Sequence, residues 1–538
     1  MKNNFNLLLC FALIPSFVNS AYGQFGTNDR DTLSINDVRV GVNSMGDIGW
    51  DLQGNLLFEI PKNSGQHTVF ASNLWFGGLD EAGQLRNAAQ TYRIKGTDYG
   101  PGPGNVAPFP IDSVFFERFN QVFTLTSAEI ANHRANFAQP GYTMPPDLAN
   151  WPAHGDTSNG ESAFLAPYVD VNNDGWYTPM MGDYPRILGD QASYTIYFNH
   201  FALPTETGNT DITRCEIHTM TYAYDRPASD PLSQVVFVQQ WIKNRGNLLF
   251  EDFLVSQWVD FHLGNPSDDY YGCDTTRNLF FAYNADNFDD TTGSFIGYGT
   301  APPAMGVVFL NQELGTFMTI GGDSSVTGFP ENAVNYYNYQ RGFWIDGNPI
   351  TLGGNGYAGL QRTAHQFSGD PTDTAQWSML SANLAPGGRS SLGSSRKFRF
   401  DGGESICLSM AFVFARGTDH LHSVEILKQR VDAVQVFYES TGSVCEFTGV
   451  PTQLSAEELL GELSIYPNPA AEWLRVSFST KESGEVILLE VTGRQVLTKP
   501  FLNSKEIQIS VSDLPVGMYV VQVNTLKGGH SKKVMIQR

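Results

Sequence analysis

The chain is poor in positive charge. Its 538 residues carry only 33 Lys+Arg against 55 Asp+Glu, a formal charge of −22 at pH 7. A surface of that sign repels phosphate backbones, so nucleic acid is excluded as a partner. Cysteine is scarce as well, five residues in all and none in a CxxC pair, which argues against a zinc site. Beyond the leader, no apolar run approaches the roughly 18 residues a membrane-spanning helix needs, so the mature chain has no transmembrane segment. Short enzyme signatures are missing too: there is no HExxH, no GxSxG nucleophile elbow and no GxxxxGK[ST] phosphate loop. These absences weaken an enzymatic reading without closing it, because glycosidases place their carboxylates by fold and not by short motif.

What is abundant is glycine, proline and phenylalanine, at 53, 28 and 37 residues. That is the composition of a turn-rich, aromatic-rich globular protein. Short runs of β-branched and aromatic residues alternate with Gly, Pro, Asn and Asp clusters, as in His67 to Leu74, Tyr194 to Phe198, Val235 to Ile242 and Leu408 to Phe414. The pattern predicts a mainly β protein with a large sandwich-like body. Two segments read as helices. One opens with a capping box, Thr126 with Glu129, and runs to about Asn136; the other, from Asp419 to about Tyr438, lines up Leu421, Val424, Leu427, Val431, Val434 and Phe437 on one face.

The first 23 residues carry Lys2, an apolar stretch from Leu7 to Val18 and small residues Ala21 and Gly23, the three-part pattern of a secretory signal peptide. The body follows at 24–450, with a division into two subdomains expected near 205. A polar linker is expected at 451–462 and a compact β unit at 463–538. Charge divides unevenly: residues 463–538 hold 9 Lys+Arg and 6 Asp+Glu, and residues 24–462 are left with 23 against 49, a formal −26. In an exported chain the remaining cysteines are expected to pair, Cys407 with Cys445 and Cys215 with Cys273, although spacing alone permits three arrangements.

The excess of acid points to cation binding. Asp170-Val171-Asn172-Asn173-Asp174-Gly175-Trp176 supplies oxygens at relative positions 1, 3 and 5, a glycine at 6 and the Trp176 carbonyl at 7, the first half of an EF-hand-type calcium loop. Position 12 is Met181 instead of Glu, and Asp183 is the substitute carboxylate. Structural calcium is therefore expected; the rival is an Asx-turn cluster without metal. A second cluster, Asp260, Asp268, Asp269 and Asp274, is read as a further calcium site or as a carboxylate pair for glycoside hydrolysis. Aromatic rings in Gly-rich loops, Trp75-Phe76-Gly77-Gly78, Arg341-Gly342-Phe343-Trp344 and Gly353 to Tyr357, are candidates for stacking on sugars.

In the last unit, Tyr466-Pro467-Asn468-Pro469 opens a strand region, Gly493-Arg494 makes a turn, Leu514, Gly517 and Tyr519 introduce another strand, and Lys532-Lys533 marks a basic final one. Taken in order, these motifs resemble the type A C-terminal sorting domain of type IX secretion system cargo in the Bacteroidota. The resemblance implies a small immunoglobulin-like antiparallel sandwich, signal-peptide export followed by translocation across the outer membrane, and the secretion machinery with its sortase as partners. It also implies a cell-surface or extracellular destination, with surface lipopolysaccharide or extracellular glycan as further partners. Body segments such as Asp98 to Pro103, Gly182-Asp183-Tyr184-Pro185 and Tyr271-Gly272-Cys273-Asp274 resemble an uncharacterised exported module of the same group. The expectation for the whole is an exported, calcium-stabilised binding or adhesive protein, leaning away from an enzyme; the alternative is a secreted polysaccharide hydrolase.

Overall fold

A computed structural model describes residues 29–104, 113–199, 204–441, 445, 452–453, 464–490, 494–525 and 528–537. The signal-peptide segment, most of 451–462 and Gly493 lie outside the described residues.

Apolar residues on both faces of its strands organise the body. In Cys215–Ala223 every residue is buried, and antiparallel neighbours flank the strand on both edges, Gln191–Asn199 and Val235–Asn244. These belong to a nine-stranded sheet. It runs in the order Asp269–Asp274, Leu279–Asn284, Ala304–Phe309, Ser405–Ala415, Val235–Asn244, Cys215–Ala223, Gln191–Asn199, Tyr99–Pro101, with Phe123–Thr126 also on Gln191–Asn199. A six-stranded sheet runs Leu314–Ile320, Ser390–Ser395, Phe250–Phe261, Val69–Leu79, Leu85–Ala88, with Phe398–Phe400 also on Phe250–Phe261. Aromatic rings join the two sheets: Phe280 lies 5.7 Å from Phe317 and 6.1 Å from Phe261, and Phe76 lies 5.8 Å from Tyr99. The body is thus the mainly β sandwich that the strand pattern predicts.

Both expected helices are present. Ser127–Asn136 begins with the full Thr126/Glu129 capping box. His420–Ser440 is N-capped by Asp419, whose carboxylate accepts from the His422 amide at 2.9 Å. Its Val424, Leu427, Val431 and Val434 are buried against Ala304–Phe309 and Ser405–Ala415. Gly306 makes room, since a Cβ there would stand 3.2 Å from Leu427 Cδ2. Ala333–Gln340 is a further helix, capped by Asn332, that the sequence pattern does not announce.

Two expectations are corrected here. The body does not divide near 205: its described residues up to 167 and from 185 on form one compact unit, and hydrogen bonds tie Gln191–Asn199 to Cys215–Ala223 across that position. Cys215 and Cys273 are not paired; both are buried free thiols. Their strands occupy positions in the nine-stranded sheet with four others between them, about 24 Å at ~4.8 Å per strand, where a disulfide needs Cα atoms within ~7 Å. Burial pushes the Cys215 thiol up to about 12, so it stays protonated and inert. Cys407 and Cys445 are joined by a disulfide, with Cα atoms 5.7 Å apart.

The second compact unit combines 168–184 with 450–538. Within it Thr452–Gln453, in the segment expected to be linker, lies parallel to Tyr168–Asp170. The remainder is an antiparallel five-stranded sheet in the order Ser464–Tyr466, Trp473–Glu490, Gly517–Thr525, Gly528–Ile536, with Gln495–Ser510 also on Trp473–Glu490. Every second residue points inward: Leu474, Val476 and Phe478; Ile507, Ile509 and Val511; Tyr519, Val521 and Val523; Val534 and Ile536. This is the period-2 pattern of a curled, one-sided sheet.

Candidate functional site

Residues 170–183 turn back on their own carboxylates. Asp170 accepts the Gly175 amide at 2.7 Å and the Asp174 amide at 3.3 Å, and Asp174 accepts from Trp176 at 2.8 Å. Asp183 reaches across, taking the Val171 amide at 2.8 Å and the Thr178 amide at 2.7 Å. Asn173 and Gly175 both adopt positive φ, 59° and 83°, which lets the chain reverse within a few residues. Asn172 donates its amide to Asp174 at 2.8 Å. Burial raises the Asp183 carboxyl above its ordinary range, and the charges of Asp170 and Asp174 raise it further, against the two amides. The structure thus gathers Asp170, Asn172, Asp174 and Asp183 around one loop, while the Trp176 side chain faces solvent at 65% exposure.

The second acidic cluster differs from the one expected. Asp274 turns away to Arg277, 2.8 Å distant. Burial pushes its carboxyl up, but hydrogen bonds from Thr276 and Arg277 hold it below the usual range. Asp289 takes its place. Burial raises Asp269 well above an ordinary carboxylate, and the negative charges of Asp268, Asp289 and Asp260 add to the shift. Burial likewise lifts Asp260 and Asp289 to about 7. Tyr92 donates to Asp260 at 2.8 Å; Asp289 takes amides from Tyr298 at 2.6 Å and Asn265 at 3.0 Å. Sequence reasoning missed Asp289 because it lies beyond the 260–274 window and only the sheet brings it back. Among the described residues, no three His, Cys, Asp or Glu side chains stand in a metal-holding arrangement.

In the aromatic loops, the indoles of Trp75 and Trp344 face the core and not solvent. Trp75 is fully buried and donates its indole N–H to the Gln90 carbonyl at 2.7 Å; Trp344, 1% exposed, donates to Gly356 at 3.1 Å. Phe343 is capped by the guanidiniums of Arg341 and Arg362, 5.0 and 4.7 Å from its centroid. The two indoles pin their loops to the core, where apolar area is worth most.

The opening motif of the sorting domain meets the last strand, and the other motifs pair elsewhere in the sheet. Asn468 Oδ1 accepts the Met535 amide at 2.8 Å and its amide donates to the Lys533 carbonyl at 3.3 Å. Ala470 exchanges two backbone hydrogen bonds with this strand, to Met535 and from Gln537, each 2.8 Å. Tyr466 donates to Glu506 at 3.1 Å, Tyr519 to the Pro515 carbonyl at 3.0 Å, and Arg494 pairs with Glu490 at 2.9 Å. Leu514 packs against the aliphatic core. Pro467 and Pro469 each follow a cis peptide bond, and the chain bends at 468–469 after the strand Ser464–Tyr466. Gly517 begins the strand that pairs with the last one, from which Lys532 and Lys533 project into solvent. No helix among the described residues is long and apolar enough to cross a membrane.

Residues 464–537 match the family of secretion system C-terminal sorting domains. No curated protein matches the chain. Among solved structures, a polysaccharide lyase aligns at 11% identity and TM-score 0.17 over 60% of this chain, which spans 34% of the lyase. The BSP domain of a biofilm-associated protein aligns at 8% identity and TM-score 0.14, over 96% of this chain and 81% of that one. The matched domain marks the chain as type IX secretion cargo, addressed by its C-terminal sorting domain to the cell surface or the extracellular space.

Proposed function

We propose that the exported body is a binding module of adhesive or matrix type, and that calcium in the 170–183 loop stabilises the unit to which that loop belongs. The observation that supports this is the mutual repulsion of Asp170, Asp174 and Asp183, which a cation would relieve. Such loops also draw on amide and carbonyl oxygens. Asn172 and the Trp176 carbonyl complete the donor set, and each carboxylate oxygen already holding an amide keeps a second lone pair. Removal of the 1–23 leader, recognition by the type IX sortase, and attachment to lipopolysaccharide or extracellular glycan belong to the same proposal. Calcium titration of the exported chain, followed by calorimetry and melting temperature with and without chelator, tests it. Calcium at about 100 times its Kd should stabilise the folded chain by about 2.7 kcal/mol, and Asp170→Asn with Asp183→Asn should abolish the gain. Neither heat nor a shift removes calcium from the proposal.

One observation favours a second reading. Asp260 is half-buried, its carboxyl lifted to about 7 by burial, and it sits under the Tyr92 hydroxyl; a carboxyl so tuned suits a general acid in polysaccharide hydrolysis. Release of reducing ends that Asp260→Asn abolishes would establish it. A screen without turnover would retire it.

A further inference from the structure

Ser162 sits at the outer end of a buried polar chain. The Tyr194 hydroxyl and His218 Nδ1 are 2.8 Å apart, His218 Nε2 lies 2.9 Å from one Glu216 oxygen, and the other stands 3.4 Å from Arg245 Nε. Arg245 is fixed at its remaining nitrogens as well: Nη1 donates to Ser162 Oγ at 2.7 Å and Nη2 to the Gly160 carbonyl at 2.6 Å. Lys243 reaches the same hydroxyl, its Nζ 3.3 Å from Oγ. The two basic residues come from the end of the strand Val235–Asn244 and the position just past it, and Ser162 from the loop after the Thr157–Asn159 turn.

A serine hydroxyl has two lone pairs and one proton. If Lys243 is an ammonium, it and Arg245 fill both lone pairs, and the Ser162 proton has no acceptor among the described residues. The neighbouring Glu161 does not take it, since its Oε1 is buried without a hydrogen bond. A neutral Lys243 closes the account, because its amine lone pair receives that proton. The surroundings favour the neutral form. Lys243 is half-buried and forms no ion pair among the described residues. Burial lowers its ammonium below the ordinary value, the Glu216 charge works against that, and Arg245 adds to it. Ser162 is 9% exposed and the Arg245 side chain 14%, so the cluster borders solvent.

We propose that Ser162 is a nucleophile with Lys243 as its general base, and that the pair hydrolyses short-chain carboxylic esters. Such a pair needs no short motif, only hydrogen-bond reach between nucleophile and base. Ser162 Oγ bonds to the ester carbonyl carbon as its proton passes to Lys243 Nζ, and the carbonyl electron pair moves onto its oxygen beside the Arg245 guanidinium. Collapse breaks the bond to the alkoxy oxygen, which takes the proton from Lys243 and leaves as an alcohol. Water repeats the sequence on the acyl-serine, releasing the acid and restoring Ser162. The near-buried hydroxyl admits only a small acyl group, and Glu161 and Glu216 beside it disfavour an anionic one. This inference goes beyond the binding role and rests on neither the calcium loop nor Asp260.

The full exported chain is incubated with p-nitrophenyl acetate, and separately with a fluorophosphonate whose site of attachment is read by mass spectrometry. The acetate ester should turn over above the buffer rate, and the phosphonyl group should sit on Ser162. Ser162→Ala should lose both. Lys243→Arg keeps a cation and a donor at the hydroxyl but has no neutral form. It should keep the melting temperature and slow turnover by about 100-fold or more. Turnover by the unaltered chain should climb with pH as Lys243 deprotonates, and Lys243→Arg should lack that limb. Should Ser162→Ala melt early, the attachment site in the unaltered chain decides alone. No turnover, a label on another residue, or an unchanged rate in Lys243→Arg overturns the proposal.

Discussion

The sorting domain and the body solve the same packing problem with different interiors. The domain's core is aliphatic apart from Phe478 and Tyr519, and no charged residue among the described ones lies within it. The body buries Asp47 against Arg93, and Glu216 between His218 at 2.9 Å and Arg245 at 3.4 Å. Buried polar groups must find partners or carry a desolvation penalty. A one-sided sheet avoids that demand by alternating inward and outward residues. A body whose strands are covered on both faces has no outward side to which polar residues can be sent, so its interior depends on charge matching and on pH.

Three changes would break or sharpen that contrast. The largest effect is expected in the tail, where Val521, fully buried in the aliphatic core, has no partner to offer a charge. Val521→Asp should destabilise the domain by more than about 4 kcal/mol. Calorimetry should show its transition lost while the body's persists, and the cells should retain the precursor. Next is the body's own charge network: Arg245→Met strips Glu216 of one cation. Burial raises the Glu216 carboxyl, but His218 and Arg245 hold it below its ordinary value, so the loss should cost about 3 kcal/mol in denaturant unfolding.

The smallest expected effect is a pH dependence confined to the body. Burial lifts Asp98 and Asp289 to about 7 from an unfolded value of 3.8. A raised carboxyl means the folded chain binds the extra proton. Its stabilisation is complete below about pH 4 and is lost as pH rises through about 7. Between pH 5.5 and 8 the body should lose on the order of 2 kcal/mol for each such carboxyl. Asp289→Asn should remove its share of that slope, and the tail, with no carboxyl among the described residues of its core, should not show it.

The same contrast governs what could be read in advance. The tail's motifs and strands follow from period-2 alternation because each strand has one wet face. The 420–440 helix was legible for the same reason, its stripe of Val424, Leu427, Val431 and Val434 being one-sided. In the body, Ala333–Gln340 hides its helix in tyrosine and asparagine, and Trp75 and Trp344 look exposed because glycines flank them. Cys215 and Cys273 read as a pair because sequence gives no measure of the strands between them. The 170–183 loop was legible as a local constellation, whereas Asp289 joins Asp269 only through tertiary contact.

The clasp between Asn468–Ala470 and Met535–Gln537 joins the two ends of the sorting domain. A chain that stops before Gly528 leaves Gly517–Thr525 without its outer neighbour and the opening segment with nothing to hold. The fold that carries the export address therefore closes only in a chain synthesised through its last strand, which makes the address a proof of completeness as well as of destination.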